Sequence, residues 1–145
     1  MRQKHWVITV AVIVLVTVAY FFLGFMRGVS YYNRGTVHIA KGEYDQAIAC
    51  FYKALAIAGD FPEAYCNRGT AYYEKGQCDL AISDFDKAIE LNPDFAEAYY
   101  NRAVARYDKG EYDKARADVQ KAQSLGHRVP SEFLKALEET AGAEK

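Results

Sequence analysis

The cysteines and histidines are the residues of this chain best suited to metal or nucleophilic chemistry. Cys50, Cys66 and Cys78 lie 16 and 12 residues apart, so they form no CxxC pair of the kind found in zinc and redox sites. One disulfide is compatible with an oxidising compartment, and the sequence does not select the pair. Small apolar side chains in helices are the simpler interpretation. We expect no metal and no cofactor.

The histidines do not belong to a catalytic set. His5 adjoins an apolar segment, His38 occupies a helix-packing position and His127 lies in a turn. None has a Ser, Cys or carboxylate placed to form a nucleophile and base pair. The sequence also contains no phosphate-binding loop or dinucleotide fingerprint. It therefore predicts no catalytic residue, and a protein that is not an enzyme.

Three arginines offer another chemistry, the binding of anions. Arg34, Arg68 and Arg102 are spaced 34 residues apart. They could hold one anion together, or they could pair with carboxylates such as Asp84 and Asp118. Arginine with a carboxylate in reach is more often structural, and we favour the ion pairs.

The charge distribution argues against nucleic acid as a partner. The net charge is −1, but residues 1–27 contain three basic and no acidic side chains, whereas the other 118 residues contain 15 basic and 19 acidic ones. A mildly acidic domain without a basic cluster cannot neutralise many phosphates.

The 34-residue period extends well beyond the arginines. YYNRG begins at Tyr31, YCNRG at Tyr65 and YYNRA at Tyr99. Lysine, glycine, aspartate and alanine recur in the same register, as Lys41, Lys75 and Lys109, Gly42, Gly76 and Gly110, Asp45, Asp79 and Asp113, and Ala47, Ala81 and Ala115. A fixed period of this length predicts a stack of repeated units.

One unit, residues 62–95, reads as a helical hairpin. Gly76 follows the first helix, as a C-terminal glycine does, and Pro93 stops the second. Small Gly69 lets the helices approach closely, while Phe85 fills the space beside it. A single hairpin cannot bury its own apolar face, so the units must stack.

This pattern resembles the tetratricopeptide repeat (TPR) over residues 28–129. The resemblance implies an all-α, right-handed superhelical solenoid of three hairpins, residues 28–61, 62–95 and 96–129. The chain departs from the family in having arginine where a leucine is usual, and His38 and Arg106 where a tyrosine is usual. Residues 130–145 hold a further amphipathic helix, which we interpret as the cap that a solenoid end needs.

The resemblance also implies a binding groove, because family ligands lie on the concave face of the first helices. Those positions are Tyr32, Asn33, Thr36 and Ile39, then Cys66, Asn67, Thr70 and Tyr73, then Tyr100, Asn101, Val104 and Tyr107, bordered by Glu63, Glu74, Glu97 and Asp108. An aromatic groove with an acidic border favours an apolar segment that carries Lys or Arg. The alternative is that the tyrosines only pack between repeats.

One family function can be tested by residue type. TPR domains that grip the C-terminal carboxylate of chaperones use two lysines, two asparagines and an arginine. The matching positions here hold Tyr32, Thr36, Asn67, Glu97 and Asn101. Only Asn67 agrees, and Glu97 has the opposite charge, so a chaperone tail is a disfavoured partner.

The N-terminal segment is apolar enough to span a membrane. Residues 6–26 contain no charged side chain, and as a helix they span about 31 Å, the thickness of the hydrocarbon core. A cleaved signal peptide is the alternative, but no small-x-small cleavage motif follows. We interpret residues 1–27 as a short basic tail and an uncleaved signal-anchor helix.

The orientation of this helix is nearly balanced, because basic residues flank both ends. The short basic tail favours a single-pass protein of the bacterial inner membrane with its repeats on the periplasmic, non-cytoplasmic side. No linker separates Met26 from Gly28, so we expect the anchor to continue into the first repeat helix.

These features favour a membrane-anchored scaffold or assembly factor that binds a partner protein, itself a membrane protein or a membrane-proximal apolar or basic segment. A permanent small accessory subunit of a membrane complex, held through its transmembrane helix, is the alternative. Self-association is a third option.

Overall fold

The computed structural model describes residues 2–143, with side-chain environments from Trp6 to Thr140. Its helices are α1 (Arg2–Ala40), α2 (Tyr44–Ala58), α3 (Pro62–Glu74), α4 (Cys78–Leu91), α5 (Ala96–Asp108), α6 (Tyr112–Ser124) and α7 (Ser131–Ala143). Each helix packs on the next, and no strand occurs within residues 2–143. The predicted all-α solenoid is confirmed, while the repeat boundaries stay predictions.

The turn inside each hairpin closes on a glycine in the left-handed region. Gly42, Gly76 and Gly110 have φ of 72°, 72° and 76°. In the second hairpin the Gly76 N–H donates to the Tyr73 carbonyl at 2.7 Å, and the Gln77 N–H donates to the Tyr72 carbonyl at 2.9 Å. These two bonds satisfy carbonyls that the helix end leaves free. A side chain at this φ is strained, so the glycine column is a requirement of the turn.

Small residues in the first helix of each hairpin make room for a ring in the second. A Cβ on Gly35 would lie 2.6 Å from Phe51 Cε1, and a Cβ on Gly69 would lie 2.8 Å from Phe85 Cε1. Both rings are fully buried. In the third hairpin the first helix has Ala103, and the second helix has a valine at the equivalent position. A larger side chain on the first helix is therefore matched by a smaller one on the second helix.

Two of the three repeated arginines form ion pairs inside their hairpins, as predicted. Arg68 Nε and Nη2 each lie 2.7 Å from a carboxylate oxygen of Asp84. Arg102 binds Asp118 in the same bidentate way, at 2.8 and 2.6 Å. Both aspartates are buried. Arg34 differs, because the first hairpin has Cys50 at the equivalent position.

The lysine and aspartate columns join successive hairpins. Lys75 Nζ, at the end of α3, pairs with Asp45 at the start of α2. Lys109 Nζ, at the end of α5, lies 2.5 Å from Asp79 Oδ1 at the start of α4. Each pair links the first helix of one hairpin to the second helix of the hairpin before it. The columns therefore recur because the stacking contact recurs.

Helix α1 is unbroken over its 39 residues, which confirms the predicted continuity between the apolar segment and the first repeat helix. Within residues 6–140 it is the one helix long and apolar enough to cross a membrane by length and composition, with a mean hydropathy of 2.7 in its most apolar stretch. That stretch is not buried against the rest of the chain.

Helix α7 covers the far end of the solenoid. Leu137 and Val129 are buried with Val119 of α6. Arg116 of α6 donates to the Leu137 carbonyl at 3.1 Å and to Thr140 Oγ1 at 3.0 Å. Helix α7 thus covers apolar side chains of the last hairpin.

Candidate peptide-binding groove

The predicted groove includes Tyr32, which neighbouring side chains hold in place. Its ring centroid lies 4.7 Å from that of Phe61 and 5.9 Å from that of Phe51. Asn67 Nδ2 donates to the Tyr32 hydroxyl at 3.1 Å. Burial raises the pKa of Tyr32, and the charges of Glu63 and Glu97 raise it further, against the hydrogen bond from Asn67. Tyr32 is therefore held in place and neutral, and its place in the groove stays a prediction.

The second hairpin contributes less surface than predicted, because Cys66 lies in the core. It is 1% exposed and packs with Ala81, Phe85 and Ala98. Burial raises the pKa of its thiol to about 12, and the charge of Glu97 adds to the effect. Cys66 therefore cannot present itself to a ligand, which corrects its assignment to the groove.

The asparagines at the three equivalent repeat positions differ in the contacts they make. Asn67 donates to Tyr32, and Asn101 Nδ2 donates to Cys66 Sγ at 3.7 Å. Each thus reaches back to the preceding hairpin. Asn33 has no preceding hairpin; it is exposed and lines a different surface of α1, beside Arg34. Its assignment to the concave groove therefore stays a prediction.

Tyr73 spans the second and third hairpins. Its hydroxyl donates to Asp108 Oδ2 at 2.6 Å. Burial and the adjacent carboxylate both raise the pKa of Tyr73. Thr36 and Thr70 donate to carbonyls of their own helices, at 2.8 and 3.1 Å, so each hydroxyl oxygen can still accept a hydrogen bond.

The capping segment partly covers the tyrosines of the third hairpin. Tyr100 stacks on His127 with centroids 4.8 Å apart. Tyr107 meets the edge of Phe133 with centroids 5.4 Å apart. The sequence placed both tyrosines in an open groove together with Val104, which is half-buried. Tyr32, Tyr100 and Tyr107 are all half-buried, and their roles in ligand binding stay predictions.

The acidic border remains largely uncompensated. Glu63 and Glu97 are exposed, and neither has an ion pair with any described residue. Glu74 accepts a hydrogen bond from Tyr44 at 3.3 Å, and Asp108 accepts the one from Tyr73. Two carboxylates beside Tyr32 are therefore available to a cationic ligand group.

A cavity of about 470 Å³ lies where α1 leaves its apolar segment, and we name it the exit cavity. Its lining is Tyr20, Phe21, Gly24, Phe25 and Val29 of α1, with Ile57, Ala58, Asp60 and Phe61. Phe61 is also the ring that contacts Tyr32, so the cavity borders the predicted groove. Sequence reasoning missed Ile57 and Phe61, because only the folded turn brings them beside α1.

The cysteines and acidic residues form no alternative site in the described part of the chain. Cys50, Cys66 and Cys78 are free thiols. Within residues 6–140, no group of three or more His, Cys, Asp or Glu side chains is arranged to hold a metal ion.

Several solved structures resemble this fold. The first TPR of Spaghetti (RPAP3), bound to the HSP90 peptide SRMEEVD, is 25% identical, with a TM-score of 0.74 over 81% of this chain and 93% of that chain. MamA is 28% identical, with a TM-score of 0.67 over 70% of this chain and 60% of that one. The Arabidopsis OM64 TPR domain, at 23% identity and a TM-score of 0.78 over 81% and 98%, supports the fold alone.

Family profiles cover the repeats directly. A profile described as "TPR repeat" matches residues 35–76 and 69–110, and one described as "Tetratricopeptide repeat" matches residues 96–126. A search of curated protein sequences found no match. The matched residues include the glycine turns, the small-residue and ring pairs, and the ion pairs between hairpins. The chain belongs to the tetratricopeptide repeat family.

Proposed function

We propose that this protein is a membrane-anchored scaffold or assembly factor that binds a segment of a partner protein in its concave groove. The observation that carries the proposal is the pair of unpaired carboxylates, Glu63 and Glu97, beside Tyr32. TPR domains are protein-interaction scaffolds, and the RPAP3 domain holds a peptide. No part of the groove calls for a catalytic role.

The chemistry of the groove differs from that of the peptide-bound RPAP3 domain. The peptide SRMEEVD carries three acidic side chains, whereas Glu63 and Glu97 would repel such a ligand. Asn67, the single residue that agrees with the chaperone clamp, uses its amide on Tyr32 at 3.1 Å. The groove therefore favours an apolar segment with lysine or arginine.

The continuity of α1 supports a membrane-proximal partner. A helix without a break between its apolar segment and Gly28 holds the groove at a set distance from the bilayer. Phe61 lines the exit cavity beside the apolar segment and also contacts Tyr32 of the groove. We place the protein in the bacterial inner membrane as a single-pass protein, with the repeats in the periplasm. Protease digestion of intact spheroplasts tests this, because only periplasmic repeats would be cut.

In a second candidate function the partner is the same, but a different part of this protein binds it. As a permanent small subunit of a membrane complex, the protein would be retained through α1 and not through the groove. The exposed apolar side chains of α1 and the open floor of the exit cavity at Gly24 favour this alternative.

A pull-down in mild detergent from native membranes separates the two functions. The groove variant is Glu63→Lys with Glu97→Lys. The matched control is Glu132→Lys with Glu138→Lys, which makes the same charge change on exposed residues of α7. A third variant replaces residues 6–26 with an unrelated transmembrane helix.

A scaffold loses its partner in the groove variant alone, and the bound segment, once identified, contains lysine or arginine. Retention in the groove variant with loss after the helix exchange would instead indicate the permanent subunit. Equal loss in the groove variant and its charge-matched control would contradict the groove as the binding site.

A further inference from the structure

The second and third hairpins show what a first helix needs on its outer side. Ala64 and Ala71 of α3 are fully buried in one cluster with Phe51 and Leu55 of α2. In the next hairpin, Ala98 and Ala105 of α5 are fully buried in the cluster that contains Ala81, Phe85 and Ala88 of α4. The first helix therefore always lies against the second helix of the preceding hairpin.

Helix α1 presents the same side without a preceding hairpin. Ser30 and Val37 take the places of the two buried alanines, and Val37 is 51% exposed. They belong to a shallow groove along one side of α1, which we name the open α1 face: Met26, Val29, Ser30, Asn33, Arg34, Val37, His38 and Lys41. The repeat pattern thus marks a helix-binding surface that is left unfilled.

Two cations on the open α1 face lack the carboxylates that their equivalents have. Arg102 of α5 contacts Asp86 of the preceding α4 at 2.5 Å, in addition to Asp118 of its own hairpin. Lys109 contacts Asp79 of α4. Arg34 and Lys41 occupy the equivalent positions, and neither forms an ion pair with any residue between 6 and 140.

The first hairpin itself also offers no carboxylate partner to Arg34. Cys50 replaces the aspartate that would bind it. The guanidinium carbon of Arg34 instead lies 5.9 Å from the ring centroid of Tyr31. The open α1 face contains no acidic side chain. Beside it, Glu43 is engaged by His38 at 2.6 Å. The surface is therefore basic along two turns of helix.

We propose that the open α1 face binds an amphipathic helix of a second protein, with two carboxylates seven residues apart. Asp79 and Asp86 of α4 show the required spacing, because they contact Lys109 and Arg102 from one side of their helix. The docked helix occupies the place that α4 has on α5, with a small residue opposite Val37. Its carboxylates neutralise Arg34 and Lys41.

This surface is separate from the concave groove and has the opposite charge. The groove, bordered by Glu63 and Glu97, selects a basic segment, whereas the open α1 face selects an acidic helix. The protein can therefore hold two different partners at once. The inference does not depend on the proposed ligand of the groove.

The first test uses a defined probe, a hydrocarbon-stapled peptide of residues 77–92 of this chain, with the staple on its exposed side. The full chain is held in detergent, and binding is measured by fluorescence anisotropy. We expect Arg34→Glu to raise the Kd at least tenfold, and the peptide variant Asp86→Arg to restore binding to that chain. Lys135→Glu, a cation-to-anion change on the exposed side of α7, leaves the Kd unchanged.

Absence of binding by the native peptide, or binding that Arg34→Glu does not alter, overturns the proposal. Misfolding does not confuse the result, because Arg34 is exposed and an unfolding curve of the variant checks its stability. The restored binding of the charge-swapped pair also requires a folded chain.

The second test identifies the natural occupant with a photo-crosslinking amino acid at position 37 in native membranes. The proposal expects a crosslink to another protein, within a helical segment containing two carboxylates seven residues apart, and its loss in Arg34→Glu. A crosslink to a second copy of this chain, to lipid alone or to a segment without acidic residues overturns it. The absence of any crosslink also overturns the proposal.

Discussion

Gly69 and Phe85 show how tightly single side chains set the hairpin geometry. A methyl group at Gly69 would meet Phe85 Cε1 at 2.8 Å and the Ala81 carbonyl oxygen at 3.1 Å. We expect Gly69→Ala to lower the free energy of unfolding by about 1 to 3 kcal/mol, although alanine is the better helix former. Urea unfolding followed by circular dichroism measures the change.

The third hairpin supplies the control for this prediction, since it has Ala103 with Val119. The double variant Gly69→Ala with Phe85→Val copies that pair into the second hairpin. Its loss of stability should be smaller than the sum of the two single losses. Additive losses would show that the ring and the glycine do not share the space.

Asp84 is a residue whose removal leaves a charge without its partner. Arg68 is largely shielded from solvent and binds Asp84 through two nitrogen atoms. We expect Asp84→Ala to lower the free energy of unfolding by about 3 kcal/mol, because an unpaired guanidinium stays in the hairpin. The exposed pair Lys87 and Glu90 is the control; Glu90→Ala should leave the unfolding curve nearly unchanged.

Because of Cys66, the free energy of unfolding should decrease at alkaline pH. Burial raises the pKa of its thiol from an ordinary value of 9.0 to about 12 in the folded chain. A raised folded-state pKa gives stability that is complete below pH 9 and is lost as the pH rises toward 12. For this group the loss at pH 11 is about 2 to 3 kcal/mol.

The measurement is the free energy of unfolding between pH 8 and 11 under reducing conditions. Cys66→Ala removes the titrating thiol, so its stability should fall less steeply over this interval. Cys78→Ala is the matched control, because Cys78 is only half-buried. Equal slopes for Cys66→Ala and the unchanged chain would contradict the assignment.

The sequence pattern predicts some single-residue contacts and not others. It found Arg68 and Arg102 with their carboxylates, because a period of 34 residues aligns the pairs. It misplaced Cys66, since a family position does not reveal whether that side chain is covered by the next hairpin. It did not reveal that Asn33 lacks the contact that Asn67 and Asn101 make, because the first hairpin has no preceding neighbour. Burial and end effects depend on the assembled stack.

Among the helices, α7 is the one whose role can be tested by a single truncation. Leu137 is 3% exposed and belongs to the cluster of Ala103, Ala115, Val119 and Val129. We expect Leu137→Ala to cost about 2 to 4 kcal/mol of unfolding free energy. Glu138→Ala, on the exposed side of the same helix, should change little. Equal effects of the two variants would mean that α7 does not cap the solenoid.

The elements themselves were predictable because each has a local signal. A glycine with positive φ ends the first helix of every hairpin, and small residues mark the faces that meet. The exit cavity was not predictable, since its two walls, which come closest in sequence at Val29 and Ile57, lie at least 28 residues apart in the chain. Nor was the cover that Phe133 and His127 place over the third-hairpin tyrosines.

For the whole molecule, the unbroken α1 is the feature with functional weight. Inserting Gly-Ser-Gly-Ser between Met26 and Arg27 would uncouple the repeats from the apolar segment. The insertion lies outside the hairpins, so we expect unchanged thermal unfolding of the repeats but loss of the membrane-proximal partner in the pull-down. Inserting four alanines keeps the helix and is the control for length. Full partner retention with the flexible insert would show that a fixed height is unnecessary.

In a bilayer, the thickness of the hydrocarbon layer would set the tilt of α1 and thereby the position of the binding surfaces. A hydrocarbon layer thinner than the apolar segment makes a transmembrane helix tilt. The part of α1 beyond Met26 extends for about 20 Å, so a tilt of about 20° would move its end sideways by about 7 Å. The repeats follow this movement, because no hinge absorbs it. Partner capture would then differ between thick and thin membranes without any change in the groove.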